Sequence, residues 1–172
     1  MKIVINKTPK IETDCLIIPI PNGVGAAFER VAKSMNMEAA QIEHDFKADA
    51  GEILTLYKDG KRIILLGLGQ KNTPAELARC FRILSHKHPN KLSTQLAISF
   101  LYDNTNGNEQ LFNSIEASIT GLVLGTYQIG KFKSSQVENG LHPLKAEAAS
   151  VTILTDAEPE KAQAAAAKGK VL

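Results

Sequence analysis

Apolar runs alternate with segments of helical periodicity along most of the chain. Residues 2–6 predict a short strand, and the continuous apolar run 14–20 predicts a central strand, because both of its faces must be covered. After the turn at Pro21-Asn22-Gly23, apolar residues at helical spacing predict a helix over residues 24–38. A strand, a turn and a helix in this order indicate an α/β protein.

A hairpin and a capped helix follow. Residues 52–57 and 62–68 flank Lys58-Asp59-Gly60-Lys61, in which the Asp-Gly pair tolerates the positive backbone angles of a tight turn. We therefore expect two antiparallel strands in the sheet. Thr73 can then cap a helix that runs to about residue 85, with Pro74 in its first turn and Glu76 reaching back to the cap.

The second half repeats the alternation. Residues 95–101 predict a buried strand, and the following helix has one apolar face, formed by Leu111, Phe112, Ile115, Ile119, Leu122 and Val123. Small residues on this helix (Ala117, Gly121 and Gly125) indicate tight packing against the sheet rather than a ligand site. A polar loop with weak helical character over 131–148, a last strand at 151–154 and an alanine-rich helix over 159–168 complete the pattern.

That last helix has no evident broad apolar face, and Gly169-Lys170-Val171-Leu172 follows it. We therefore expect the sequence to be the first part of a longer protein.

Composition and charge narrow the classes of partner. The 172 residues fit one domain, with 44% hydrophobic and 22% charged residues, as in ordinary globular proteins. A net charge of +2 requires neither a nucleic acid nor an anionic membrane as partner. DNA binding stays a minor alternative, carried by scattered lysines: Lys58, Lys61, Lys71, Lys87 and Lys91. The apolar run at the amino terminus is too short for a signal peptide or a membrane span, so we expect a cytoplasmic protein.

The reactive residue types form no complete motif. Cys15 and Cys80 lie in apolar surroundings and are interpreted as buried free thiols. Of the four histidines, His44, His86, His88 and His142, only His86 and His88 are close in sequence, and we interpret that pair as a solvent-facing helix end. The sequence contains no GxSxG, HExxH, paired CxxC or P-loop. We therefore assign no catalytic residue.

Two glycine turns lie where a strand meets a helix. Gly67-Leu68-Gly69 lacks the third glycine of a dinucleotide-binding loop, because Asn72 occupies that position. The amides of Asn22-Gly23-Val24-Gly25 could meet an anion at a helix terminus. The possible anion-binding residues are Asn22, Gly23, Gly25, Gly67 and Gly69, although plain turns are the favoured interpretation.

The tetrapeptide Thr155-Asp156-Ala157-Glu158 carries two carboxylates that could bind divalent cations. Further ligands at suitable spacing are missing, so we assign no metal-binding residue.

Several segments, in order, resemble the amino-terminal domain of the leucyl aminopeptidase family. They are DCLIIPI, GEILTLYKDGKRIILLGLG, the Thr73-Pro74 helix start and ASITGLVLGTYQIGKFK, and the resemblance spans nearly the whole chain. Its most specific parts are Leu66-Gly67-Leu68-Gly69 and the stretch Gly121–Tyr127, which Lys131-Phe132-Lys133 follows. The resemblance implies a three-layer α/β/α sandwich with a mixed, mostly parallel sheet, similar to macrodomains. It also implies a domain over residues 1–157, with residues 158–172 beginning the helix that leads to a carboxy-terminal catalytic domain.

The family resemblance further implies a cytosolic exopeptidase that releases amino-terminal residues from peptides and assembles as a homohexamer. Its two divalent cations, zinc or manganese, and its peptide substrate would bind in the carboxy-terminal domain, and this chain would hold no cofactor. Thr155 to Glu158 match the middle of the family's Asn-Thr-Asp-Ala-Glu-Gly-Arg metal motif, but Leu154 replaces the Asn and Pro159-Glu160 replace the Gly-Arg. We interpret this match as coincidence.

The sequence thus predicts a non-catalytic assembly and positioning domain. The alternative is a macrodomain-like module that binds a nucleotide or ADP-ribose, although the usual macrodomain asparagine motif and triple-glycine loop are not visible.

Overall fold

The computed structural model describes residues 1–7, 13–23, 25–71, 73–101, 108–127 and 142–171. Its strands form one six-stranded sheet in the order β1-β6-β5-β2-β4-β3. The strands are β1 (Lys2–Asn6), β2 (Cys15–Ile20), β3 (Ile53–Lys58), β4 (Lys61–Gly67), β5 (Gln95–Ser99) and β6 (Ser150–Leu154). The α-helices are α1 (Gly25–Met35), α2 (Ala39–Asp45), α3 (Pro74–Lys87), α4 (Asn108–Gly125) and α5 (Pro159–Lys170).

The sheet is parallel except for the hairpin. Strand β2 pairs in parallel with β4 on one side and with β5 on the other, which confirms its predicted central position. Strands β3 and β4 are antiparallel, and the residues of their turn have positive φ, 50° at Asp59 and 75° at Gly60. The predicted Asp-Gly hairpin is therefore confirmed.

Two apolar layers cover the two faces of the sheet. Because side chains alternate along a strand, Ile17 packs with α3, α4 and α5 on one face, whereas Ile18 packs with α1 and α2 on the other. Both isoleucines are fully buried, as the continuous apolar run of β2 requires. The predicted three-layer α/β/α sandwich with a mixed, mostly parallel sheet is confirmed.

The helix expected over residues 24–38 is confirmed as α1, but it ends earlier than predicted, and a second helix that was not predicted follows it. Helix α1 ends at Met35 because Asn36 adopts a left-handed conformation, with φ of 57°, which asparagine tolerates better than most residues. Helix α2 follows and buries Ile42. Phe46, just after α2, meets Phe28 of α1 edge-on with ring centroids 6.0 Å apart.

Helix α3 begins as predicted but is stabilised differently. Oγ1 of Thr73 accepts a hydrogen bond from the Glu76 amide at 3.3 Å, which confirms the cap. The Glu76 carboxylate does not reach back to the cap; it binds the guanidinium of Arg79, with N–O distances of 2.7 and 3.0 Å. The helix continues to Lys87, two residues beyond the expected end.

The small residues of α4 pack against helix α3 rather than against the sheet, which corrects the prediction. A Cβ at Gly121 would lie 2.3 Å from the carbonyl oxygen of Ala78, and one at Gly125 would lie 2.3 Å from Cβ of Ser85. Both contacts are far shorter than atoms tolerate, so these two positions require glycine.

Helix α5 has a buried face, contrary to expectation, and small residues form it: Ala162, Ala165, Ala166 and Gly169. Their spacing places them on one side of the helix. A Cβ at Gly169 would lie 2.3 Å from the Glu116 carbonyl oxygen, so α5 contacts the backbone of α4 closely. Helix α5 therefore packs on the same core as α3 and α4, and a domain boundary at 157 stays a prediction.

Of the loop expected over 131–148, only residues 142–148 lie within the described part, and Pro143–Lys145 form a 3₁₀ turn there. None of the described helices is long and apolar enough to cross a membrane.

Candidate functional site at the carboxyl edge of the sheet

The topology indicates that a ligand site would lie at the carboxyl edge of the sheet. The chain leaving β2 enters α1 on one face, whereas α4, the next α-helix after β5, packs on the opposite face. Open α/β sheets bind ligands where the strand order reverses in this way, at the carboxyl ends of the strands. Of the predicted anion-binding residues, Asn22, Gly23 and Gly25 lie at this reversal point; Val24 lies outside the described residues.

The structure brings the two predicted turns together. The Asn22 amide donates a hydrogen bond to the Gly69 carbonyl oxygen at 3.0 Å. Nδ2 of Asn22 donates to Oδ1 of Asp49 at 3.1 Å. The turns therefore form one cluster, and the Asp49 carboxylate places a negative charge beside it, which opposes anion binding.

The amides of the Gly67-Leu68-Gly69 turn are directed into the protein. They donate to the carbonyl oxygens of Glu52, Ile20 and Ala48 at 2.8, 3.0 and 2.9 Å. An anion could bind these amides only if it displaced those carbonyl groups. Anion binding at Gly67 and Gly69 stays a prediction that this geometry does not favour.

Backbone packing accounts for both glycines of that turn. A Cβ at Gly67 would lie 2.1 Å from the Asp49 carbonyl oxygen. Gly69 has a φ of 70°, and its Cβ would lie 2.9 Å from Cβ of Ala50. The segment 48–52 therefore occupies the space that a phosphate would need.

A carboxylate holds that segment in place. Oε2 of Glu52 accepts hydrogen bonds from the amides of Lys47 and Asp49, each at 3.0 Å. Ala48 is buried and has a φ of 58°, which is unusual for a residue other than glycine. In the sequence, this segment is marked locally by the turn composition of Asp49-Ala50-Gly51.

The Thr155–Glu158 tetrapeptide forms the turn into α5. Oγ1 of Thr155 accepts a hydrogen bond from the Ala157 amide at 3.1 Å. The Glu158 carboxylate pairs with Nζ of Lys161 at 2.7 Å. Among the described residues there is no group of three His, Cys, Asp or Glu side chains that could hold a metal ion. The tetrapeptide therefore acts as a helix-start turn in this chain.

The histidines lie in different environments. His86 is exposed in the last turn of α3, and His44 is exposed beside Asp45. Burial lowers the pKa of the half-buried His88, and the nearby Lys91 and Lys87 lower it further.

His142 is the histidine with contacts through both of its ring nitrogens, which no sequence motif predicts. Its Nε2 lies 2.9 Å from the Ser85 carbonyl oxygen, and its Nδ1 accepts a hydrogen bond from the Leu144 amide at 3.2 Å. These contacts fit the neutral ring with its proton on Nε2. Burial is the main cause of a lowered pKa at His142.

Both cysteines are free and buried, as predicted. Burial raises the pKa of the Cys15 thiol to about 11 and raises the pKa of Cys80 as well. A thiol with a raised pKa is a poor nucleophile at neutral pH.

The lysines named for DNA binding do not form one surface. Lys58 and Lys61 lie at the amino end of β4, whereas Lys71 follows its carboxyl end, roughly 20 Å away for a strand of this length. Nζ of Lys91 donates to Oγ1 of Thr55 at 3.0 Å. Lys71 thus lies apart from Lys58 and Lys61.

The family model and the sequence relatives that match this chain all carry aminopeptidase descriptions. A family model described as the cytosol aminopeptidase family, N-terminal domain, matches residues 24–136. A probable cytosol aminopeptidase of Chlorobium phaeobacteroides is 26% identical over 90% of this chain and 33% of its own length. One of Clostridium perfringens is 29% identical over 78% of the chain and 28% of its own length. Chloroplastic leucine aminopeptidase A1 of Solanum lycopersicum is 27% identical over 63% of the chain and 19% of its own length.

Solved structures agree on the fold. A mutant of tomato leucine aminopeptidase matches 99% of this chain and 35% of its own, with a TM-score of 0.76 and 20% identity. The bottromycin maturation enzyme BotP, in complex with Mn, matches 91% of this chain and 29% of its own, with a TM-score of 0.53 and 17% identity. The chain thus spans about a third or less of the length of each of these proteins.

Proposed function

Since the chain belongs to the cytosol aminopeptidase family, as a counterpart of its amino-terminal domain, we propose that it is a non-catalytic module for assembly and positioning. The main support is the tomato enzyme, which matches 99% of this chain with only 35% of its own length. The remaining two thirds of such a protein have no counterpart in these residues. We assign the chemistry to that part.

The parent protein, in this proposal, is a two-metal exopeptidase that releases amino-terminal residues from peptides. The relatives carry aminopeptidase names, and BotP was solved with Mn. Two divalent cations, zinc or manganese, would bind in the carboxy-terminal part. The Asp156 and Glu158 carboxylates do not fit such a site, because Glu158 is paired with Lys161 and no third ligand lies nearby among the described residues.

One surface of this chain suits contact with the carboxy-terminal domain of the same polypeptide. Strand β1 is an edge strand, and a groove of about 640 Å³ runs between it and the first turns of α5. Val4 lines the groove and is 36% exposed, which is high for a strand valine. Edge strands in stable proteins are usually covered or paired. The greater length of the relatives supplies a domain that could cover this one.

We also propose a cytoplasmic location and a homohexameric parent. The family description and the bacterial relatives support the first, whereas the plant relatives carry chloroplastic names. Assembly would involve the module together with the carboxy-terminal domain.

An activity assay tests the non-catalytic role. The purified 172-residue chain is incubated with leucine p-nitroanilide and either Mn²⁺ or Zn²⁺. We expect no hydrolysis above the rate with metal alone, while tomato leucine aminopeptidase serves as the positive control. Hydrolytic activity that co-elutes with the chain in chromatography, and that is lost when the metal ion is chelated, would contradict the proposal.

The macrodomain-like alternative has one supporting observation. A Cβ added at Gly23 or at Gly25 would meet nothing within 4 Å, so there is open space at the reversal point. Calorimetric titration with ADP-ribose tests it. Saturable heat that disappears in Gly25→Asp would favour a nucleotide-binding module, and no heat would remove that alternative.

A further inference from the structure

A second concave site lies away from the sheet edge, between the carboxy-terminal halves of α3 and α4. It is a cavity of about 230 Å³ lined by Arg82, His86, Leu124 and Tyr127. Behind it, Gly125 and Ser85 hold the two helices in contact, because a Cβ at Gly125 would lie 2.3 Å from Cβ of Ser85. This contact fixes the separation of the cavity walls.

The polar groups of the cavity are hydrogen-bond donors, and no hydrogen bond joins their side chains to another described residue. Within the described part of the chain, the Arg82 and His86 side chains form no hydrogen bond or ion pair. A neighbouring arginine on the same helix differs, because Arg79 binds the Glu76 carboxylate at 2.7 Å. A guanidinium, an imidazole and a phenol therefore face one small space.

Three backbone carbonyl oxygens near the ends of α3 and α4 have side-chain partners. The Leu122 carbonyl oxygen accepts from Oγ of Ser85 at 2.9 Å, and that of Val123 accepts from Oγ1 of Thr126 at 2.8 Å. The Ser85 carbonyl oxygen lies 2.9 Å from Nε2 of His142.

The charges around the cavity are positive. Nζ of Lys145 lies 5.9 Å from the centroid of the Tyr127 ring, and so adds a third basic group beside Arg82 and His86. Lys145 and His86 both lower the pKa of the adjacent His142, as basic neighbours do. Basic residues in a last helical turn are often explained by the helix dipole. Arg82 lies more than a turn before the end of α3, so that explanation does not cover it.

We propose that this cavity binds one phosphate group, as inorganic phosphate or as a phosphomonoester. Its volume is below the range of pockets for drug-sized ligands, and it suits a single oxyanion with a few attached atoms. The Arg82 guanidinium binds two oxygens, and the His86 and Tyr127 donors bind the others. Leu124 gives the cavity an apolar wall for an ester group. This site is independent of the proposed assembly role.

Titration of the full chain with inorganic phosphate and with phenyl phosphate, followed by amide NMR shifts and calorimetry, tests the proposal. We expect saturable binding with shifts at residues 82, 86, 124 and 127. Tighter binding of phenyl phosphate identifies a monoester as the ligand, and equal binding identifies free phosphate.

Matched arginine variants separate a site from general surface charge. Arg82→Gln and Arg79→Gln lie three residues apart on α3 and remove the same charge. We expect Arg82→Gln to raise the Kd about tenfold or more, since charge-assisted hydrogen bonds are lost, and Arg79→Gln to change it less than about twofold. Thermal unfolding checks that both variants are folded. No saturable binding, or equal weakening in the two variants, would overturn the proposal.

Discussion

Glycine has its clearest role where backbone segments touch. Gly121 and Gly125 admit helix α3, and Gly67 admits the segment 48–52, each with a space too small for a Cβ. By contrast, Gly25 has open space around it and no positive φ. Glycines of similar appearance in the sequence therefore differ sharply in what a substitution would cost.

The first prediction compares two such positions. Gly121→Ala would place a Cβ 2.3 Å from the Ala78 carbonyl oxygen, so α3 and α4 must separate. We expect the free energy of unfolding to fall by about 2 kcal/mol or more, as in overpacked cores. Gly25→Ala should be neutral or slightly stabilising, because the added methyl group meets nothing. Urea denaturation measures both, and equal effects would contradict the packing argument.

The second prediction concerns the thiols. Burial raises the pKa of Cys15 to about 11, so almost none of it is thiolate at pH 8 in the folded chain, and burial raises the pKa of Cys80 as well. We expect a thiol reagent such as DTNB to label the native protein slowly and both cysteines rapidly in urea. Fast stoichiometric labelling of the native protein would show that the burial is incorrect.

The third prediction follows from His142. Burial lowers its pKa in the folded protein, so protonation favours the unfolded chain. The stability that neutral His142 contributes is complete above the ordinary value of 6.5 and is lost as the pH falls through the lowered pKa. His142→Asn keeps an acceptor for the Leu144 amide and does not titrate. We expect its unfolding free energy to fall less between pH 7 and pH 5 than that of the wild type.

His44→Asn makes the same substitution at an exposed position and controls for the effect of the asparagine itself on stability at pH 7. If His142→Asn and the wild type show the same pH dependence, the lowered pKa of His142 is excluded.

At the scale of elements, the apolar pattern predicted every strand of the sheet and the hairpin, because buried strands and Asp-Gly turns have local signals. Helix α2 was missed, since it is short and buries only Ile42. Its separation from α1 depends on the conformation of Asn36, which periodicity does not reveal. The packing partner of the small residues of α4 was also predicted wrongly. Small residues indicate that another backbone comes close, but they do not indicate whether it belongs to a helix or to the sheet.

The fourth prediction concerns the start of α3. Thr73→Ala removes the hydrogen bond from the Glu76 amide to Oγ1 and should lower the unfolding free energy by about 1 kcal/mol. Thr73→Ser keeps the acceptor and should retain most of the stability. Equal loss in both variants, measured by urea denaturation, would mean that the cap contributes nothing.

At the scale of the whole molecule, the candidate site was only partly predictable. The sequence identified the turns at Asn22–Gly25 and Gly67–Gly69, but not that they bind each other or that the second is filled by residues 48–52. Such contacts join residues far apart in the chain, so no local spacing encodes them. The cluster of Arg82, His86 and Tyr127 was hidden for the same reason, because α3 and the segment after α4 contribute to it.

The family membership and the greater length of the relatives support our proposal that the chain works as a module of a larger protein. The groove along β1 is the surface that we expect to contact the carboxy-terminal domain. Contact with the carboxy-terminal domain would bury Val4 and leave the fold of the module unchanged.

The most direct test joins activity and assembly in one measurement. The proposed parent protein is produced whole, as the joined protein, and without these 172 residues, as its downstream part alone; the oligomeric mass and the hydrolysis of leucine p-nitroanilide are compared between the two. We predict that the joined protein is an active oligomer and that the downstream part alone loses assembly, activity or both. A downstream part with full activity and the same oligomeric mass on its own would contradict the assembly and positioning role.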